Sequence, residues 1–386
     1  MGCPTAGSLN QLILAAFIVA ALACTPVASS PSPAPMNPVN SAWRPVIQFL
    51  DSAVAVGAAP GAVLGVSING ARFIHAAGQL SADDPERVQA TTVYDLASLT
   101  KVVGLTSAVM FGVEDGKVEL DAPVQRYVPG FVGQEKERVT VRMLLAHAAG
   151  LPAWRPLFRE ADTRAGAFML VDQTPLASPP GTAEIYSDLG IIVLTQVVEA
   201  VYQERLDSLL ERRLLRPLAL ESLRFLPAES DGERIAPTEL DPWRGRLLRG
   251  EVHDENAARL DGVSGHAGLF GSVSDLLTFS EWMIRRWKED PVAREFTRRQ
   301  ELIPGSSRAL GWDTPSEGSS AGTMLSARSF GHTGFTGTSL WIDPERHVAI
   351  VLLSNRVNPT RENTRWTAVR PAIADLVMTT LFEDAR

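Results

Sequence analysis

The strand signals of this chain lie at its two ends, and that distribution restricts the fold more than any other feature. Near the start, Gly61-Ala-Val-Leu-Gly-Val-Ser-Ile68 and Ala71-Arg-Phe-Ile-His-Ala-Ala77 flank Asn69-Gly70. An Asn-Gly pair favours a two-residue hairpin, because both central positions of such a turn need positive φ. Near the end, Thr338–Ile342 and His347–Leu353 are short β-rich runs separated by the turn Asp343-Pro344-Glu345-Arg346. Between them the spacing predicts helices over 141–147, 189–203, 205–215 and 274–287, broken by Gly/Pro loops. Strands joined by short turns pair antiparallel. The expected fold is α+β: one antiparallel sheet from the N- and C-terminal segments, flanked by helices near 43–58 and 362–382, with a mostly helical lobe inserted at roughly 139–290. A cleft between sheet and lobe is a natural ligand site.

The first residues read as address rather than fold. Leu12–Ala23 is an apolar run of signal-peptide length, and no charged residue precedes Arg44. The run ends in Ala21-Leu-Ala-Cys24, which resembles a bacterial lipoprotein cleavage site and makes Cys24 the expected lipidation site and membrane tether. Residues 1–24 are therefore expected to be a signal peptide, 25–42 a Pro/Ser-rich linker and 43–386 the folded domain, exported and periplasmic or membrane-anchored. Both cysteines, Cys3 and Cys24, fall in the leader, so the body forms no internal disulfide. A net charge of −8 argues against a nucleic-acid partner.

Chemistry concentrates in three segments: Ser98-Leu-Thr-Lys101, Tyr186-Ser-Asp188 and His332-Thr-Gly334. Residues three apart share a helix face, so the Ser98 hydroxyl and Lys101 amine can meet. A serine hydroxyl needs a neighbouring base to become a nucleophile. Lysine serves as that base once burial depresses its pKa, and Lys101 lies in the apolar run Val102-Val-Gly-Leu105. Only four of the 36 basic residues are lysines, at 101, 117, 136 and 288. A lysine here in an arginine-preferring chain fits a need for a group that can lose its proton.

Together, Asp95-Leu-Ala-Ser-Leu-Thr-Lys101, Tyr186-Ser-Asp188 and Gly331-His-Thr-Gly-Phe-Thr-Gly337 resemble the ordered motifs of the penicillin-recognising serine hydrolases. The closer likeness is to their class C β-lactamase-like branch, which also holds D-amino-acid peptidases and esterases. Leu144-Leu-Ala-His-Ala-Ala-Gly-Leu-Pro152 and Ala267-Gly-Leu-Phe-Gly-Ser272 are also typical of that branch, and the likeness spans residues 45–384. It implies that Ser98 attacks the carbonyl carbon to form an acyl-enzyme. It further implies that Lys101 and Tyr186 share the proton work, and that the backbone N–H groups of Ser98 and Phe335 form the oxyanion hole. An extended substrate would bind along the sheet edge at His332, Thr333 and Gly334, where the glycine lets its backbone approach.

Two positions depart from the family pattern: His332 stands where lysine is usual, and Asp188 where asparagine is common. His332 can donate to a substrate carboxylate only with a pH-dependent charge. Asp188 can hold Lys101 charged or bind a substrate amine. The segment His253-Asp-Glu-Asn256, followed by Ser264-Gly-His-Ala-Gly268, resembles a sub-branch that includes muropeptide amidases. On that likeness His253 and Asn256 are expected to contact substrate. A zinc site from His253, Asp254 and His266 is the competing reading, but no cofactor or metal is expected. His147 reads as structural, and His75 and His347 as strand or turn residues without chemistry.

The function expected is an exported, metal-independent serine hydrolase working through a Ser98 acyl-enzyme on peptidoglycan-derived amide or peptide bonds. Its alternatives are an esterase on small acyl esters, a class C-like β-lactamase, and a non-catalytic peptidoglycan-binding lipoprotein.

Overall fold

The computed structural model describes residues 1–2, 41–227 and 234–382. The leader, the cleavage site, Cys24 and nearly all of the linker lie outside the described residues. Strands β1 (Gly61–Ile68) and β2 (Ala71–Ser81) form the expected hairpin, with Asn69 at φ 49° and Gly70 at φ 84°. β2 runs four residues past the expected end and carries a short third strand, β3 (Asp84–Arg87). From the far end of the chain come β4 (Phe330–Thr333), β5 (Ser339–Asp343) and β6 (Val348–Ser354). The sheet order is β3-β2-β1-β6-β5-β4, antiparallel throughout, so the two chain ends meet at β1 and β6. The register pairs Ala62 with Ser354 and Ile68 with Val348.

Because side chains alternate along a strand, β1 serves two cores at once. Ala62, Leu64 and Val66 pack with Trp341 and Ile350 against α1 (Arg44–Ala55) and the C-terminal helix Val369–Phe382. Val63 joins Val351, Leu353 and the buried face of the long helix Val273–Glu289 on the other side. Covering on both faces explains why β1 reads as a nearly unbroken apolar run. The closing helix starts at Val369 rather than near 362, after a single tight turn over Arg365–Ala368. Pro371 falls in its first turn, where a missing N–H breaks no helical bond.

The segment expected to place Ser98 and Lys101 on one helix face is not a single regular helix. A turn at 97–98 leads into helical residues 99–100, with Lys101 N donating to Ser98 O at 3.0 Å, a wide π-helical stretch follows over Lys101–Thr106, and regular helix α2 spans Ser107–Glu114. Such local widening is common at functional sites. In the lobe, α3 (Asp188–Tyr202) begins at a Ser187 cap whose Oγ accepts Gly190 N–H at 3.1 Å. That cap fixes where Tyr186 leaves the loop and Asp188 enters the first turn.

Candidate active site

Ala97 sits at φ +46°, an unusual conformation for alanine, and this turns Ser98 out at the mouth of the π-helical stretch. The turn is held from outside. Asp95, buried, accepts Ala97 N–H at 2.8 Å and His253 N–H at 2.6 Å. Thr336 Oγ1 donates to Asp95 O and Thr338 Oγ1 to Leu96 O, at 2.8 and 3.0 Å. Gly334 is needed for this closure. A Cβ there would lie 2.0 Å from Thr338 Oγ1 and 2.5 Å from Leu96 O. Gly334 thus serves the protein's own contact between the β4 edge and the Ser98 turn, rather than only the expected approach of substrate.

Lys101 Nζ lies 2.8 Å from Ser98 Oγ, 2.8 Å from Asp188 Oδ1 and 3.0 Å from His266 O. Tyr186 stands beside both groups, with Lys101 Nζ 5.1 Å from its ring centroid. Lys101 is almost completely buried, and burial pushes its pKa down, but Asp188 and Tyr186 together outweigh burial and hold it above the ordinary lysine value. This corrects the expectation of an amine made neutral by its apolar surroundings: the residue at 188 decides the charge, and it is an aspartate. Burial raises Tyr186 as well, only partly countered by Lys101. The resting site therefore holds an ammonium, a carboxylate and a neutral phenol around the Ser98 hydroxyl.

His266, whose carbonyl anchors Lys101, is itself fixed: Nε2–H donates to Asp254 Oδ1 at 2.8 Å, leaving Nδ1 to accept Ser264 O–H at 2.8 Å. His253 instead pairs with Glu239 at 2.8 Å, and Arg361 holds the same carboxylate. These bonds bring Glu239 down to about 2 although burial pulls it upward. His253 and the Asp254–His266 pair thus have separate partners, and no cluster suited to a metal ion occurs among the described residues. His253 lies against Phe335 at 5.7 Å and walls a cavity of about 280 Å³ that also contains Ser98, Lys101, Tyr186 and Trp154. Asn256 does not reach this cavity. Its side chain is buried, accepting Phe158 N–H at 3.1 Å and donating to Arg155 O at 2.8 Å, so it ties the 155–158 loop in place rather than touching substrate.

On the other side of Ser98 a second cavity, of about 340 Å³, is lined by His332, Thr333 and Gly334 together with Arg308, Arg356 and Arg370. His332 is buried, and burial brings its pKa down to about 3, with Lys101 and Arg308 pushing the same way. It is neutral at physiological pH, and its Nδ1–H donates to Thr333 O at 2.7 Å. The positive charge lies on arginines that spacing could not reveal. Arg308 pairs with Glu184 and Asp313. Arg356 and Arg370 bond only backbone carbonyls, Phe335 O and Gly334 O among them, and have no carboxylate partner among the described residues. Ser98 and Phe335 N–H donate to no protein acceptor among the described residues, as an oxyanion hole requires. The edge strand is less open than expected: Asp313 exchanges both backbone bonds with Gly331, at 2.8 and 2.9 Å, so strand addition is confined to the segment from Thr333 onward.

A family profile described as Beta-lactamase matches residues 46–374. The chain belongs to the β-lactamase family. Among curated proteins it is similar to a "Putative D-alanyl-D-alanine carboxypeptidase" of Salmonella schwarzengrund, 32% identical over 310 residues and covering 70% of this chain and 71% of that one. The same description and identity hold for the relative in Salmonella typhimurium. Similar solved structures include EstCE1, "a hydrolase with promiscuous acyltransferase activity" (TM-score 0.67, 22% identity, 86% of this chain and 98% of that one). They also include a penicillin-binding protein homologue from Caulobacter crescentus (0.68, 18%, 86% and 97%) and a class C β-lactamase from Rhodobacter sphaeroides (0.66, 19%, 87% and 99%). At these identities the structural likeness establishes the fold. This β-lactamase-family chain accordingly has the serine hydrolase fold expected from its motifs, with the departures at 188 and 332 now given their geometry.

Proposed function

We propose that this chain is an exported serine peptidase of peptidoglycan-derived peptides, cleaving an amide bond whose leaving group carries a free carboxylate, as a terminal D-amino acid does. The observation that carries this reading is the cavity beside Ser98 where Arg356 and Arg370 lack carboxylate partners among the described residues. Burial brings Arg370 down to about 10, which leaves it charged at neutral pH. A planar guanidinium recognises carboxylate through paired N–H donors. The description of the Salmonella relatives as carboxypeptidases supports the same direction.

The reactive form has lost one proton from the Lys101–Tyr186 pair. Ser98 Oγ attacks the carbonyl carbon while its proton passes to that pair, and the oxygen gains charge between the N–H groups of Ser98 and Phe335. The C–N bond then breaks, the pair returns the proton to the departing amine, and a water molecule hydrolyses the acyl-enzyme by the same exchange. Export and lipid attachment at Cys24 belong to this proposal, and palmitate labelling that persists in Cys24→Ser would remove the anchor from it.

The test compares a peptide ending in D-alanyl-D-alanine with its C-terminal amide, in wild type and Arg370→Met. Wild type is expected to prefer the free acid at least tenfold in kcat/KM, and the variant to lose that preference while keeping activity on a neutral nitrophenyl ester. Equal rates on acid and amide, with faster turnover of the ester, would replace the peptidase reading by an esterase.

A further inference from the structure

The chemistry of the site leaves one buried titratable group beside it, His147, without a role. His147 lies on the loop after Val141–Leu145, only about 3% exposed, and takes φ +55°, a conformation that strains a residue with a Cβ. Three separate contacts bind it to the Tyr186 motif. Its carbonyl accepts Ile185 N–H at 2.9 Å, its Nδ1 accepts Ser187 N–H at 3.1 Å, and its ring packs on the Tyr186 ring at 4.6 Å between centroids. It therefore grips the residues on both sides of Tyr186 and the aromatic ring itself.

The hydrogen bond also fixes the tautomer. A ring nitrogen that accepts a backbone N–H carries no proton, so in the neutral ring the proton sits on Nε2. Burial holds His147 well below the ordinary histidine value, with Arg308, Lys101 and His332 adding to the effect, so the neutral ring is the one present. His332 has the complementary tautomer, because its Nδ1–H is spent on Thr333 O. Both Nε2 atoms are buried without a partner among the described residues, and the two rings lie 4.6 and 5.8 Å from Tyr186. Tyr186 thus has two neutral imidazoles beside it, a donor on one and an acceptor on the other, while Arg308 lies 5.1 Å from its ring centroid.

We propose that His147 is a positioning residue for the acyl-transfer reaction: through Ile185, Ser187 and the Tyr186 ring it holds the Tyr186 phenol on Ser98 and Lys101. The inference rests on the function proposed above and adds to it a residue outside the three motifs. A base displaced by about 1 Å can cost about 100-fold in rate. Losing the grip should therefore lower the rate of acylation without weakening substrate binding, since His147 lines neither cavity beside Ser98.

The experiment measures acyl-enzyme formation by intact-protein mass spectrometry and kcat/KM against pH, using a nitrophenyl ester, for wild type, His147→Ala, His147→Asn and His147→Gln. His147→Ala is expected to lose about 100-fold or more in acylation rate, with KM within about threefold of wild type and the alkaline limb of its profile displaced. Asn places an acceptor where Nδ1 stands and Gln where Nε2 stands, so Asn is expected to exceed Gln by tenfold or more. Acylation by His147→Ala within threefold of wild type, or a loss matching only its folded fraction, overturns the inference. Should His147→Ala not accumulate as folded protein, the Asn and Gln variants decide, and equal rates overturn it. Wild type forming the acyl-enzyme while the variants match it sinks this inference alone; wild type forming none sinks the function proposed above together with it.

Discussion

Replacing Asp188 by asparagine tests the account of the site most directly, because it changes charge while nearly preserving shape. Lys101 Nζ and Asp188 Oδ1 are 2.8 Å apart, with Lys101 buried and Asp188 partly exposed. At an effective dielectric of about 20, two unit charges at that distance attract by about 6 kcal/mol, a ceiling for the lost stabilisation of the ammonium. Asparagine keeps an oxygen that accepts the lysine N–H, so only part of this is lost. If a third is realised, about 2 kcal/mol, the neutral amine becomes about 30-fold more abundant at a given pH below its titration. The sign follows: Asp188 favours the charged amine, its removal favours the neutral one, and the reactive form is the one lacking a proton. Single-turnover acylation by a nitrophenyl ester, followed from pH 5 to 10, should show the rising limb displaced to lower pH in Asp188→Asn. The rate at pH 7 should be at least tenfold higher. The lost stabilisation of the ammonium and the loss of a first-turn carboxylate that favours the α3 helix dipole together predict a stability loss of about 2–3 kcal/mol, read from a thermal melt. A rising limb that stays in place, or moves to higher pH, refutes the claim that Asp188 sets the charge of Lys101.

Gly334→Ala puts a methyl group 2.0 Å from Thr338 Oγ1 and 2.5 Å from Leu96 O, and the turn has to give way. A stability loss of about 1–3 kcal/mol is expected in denaturant melts, with a larger proportional loss of acylation, since the displaced atoms carry the Ser98 turn. His332 predicts a pH dependence of stability. Its folded pKa of about 3 lies below the ordinary value near 6.5, so between those limits the unfolded chain binds a proton that the folded protein excludes. Its contribution is complete above about pH 6.5 and is lost as the pH falls toward 3. His332→Gln should therefore show a shallower fall in stability across that window than wild type, and parallel curves would contradict a buried neutral ring.

Much of the architecture was legible because its signals are local. Asn69-Gly70 marked the hairpin through backbone sterics, and the run of β1 marked a strand covered on both faces. The π-helical stretch after Ser98 was not legible, because the apolar pattern of Val102–Leu105 suits a regular helix equally well. Neither was the role of Asn256. Its place in a polar segment suggested the cleft, but the amide satisfies Phe158 N–H and Arg155 O across the lobe. The signal that distinguishes a scaffold amide from a substrate contact is the position of distant backbone groups.

The sequence alone singled out Ser98, Lys101 and Tyr186 as one site and a sheet assembled from both chain ends, since each rests on residue type, order and short-range geometry. Only the tertiary structure decided the charge of the site. It set Asp188 against Lys101, buried His332 until its ring was neutral, and brought Arg308, Arg356 and Arg370 to one cavity beside Ser98. Electrostatic energies depend on distances and burial that the folded chain creates between remote residues, and those quantities are absent from a linear string.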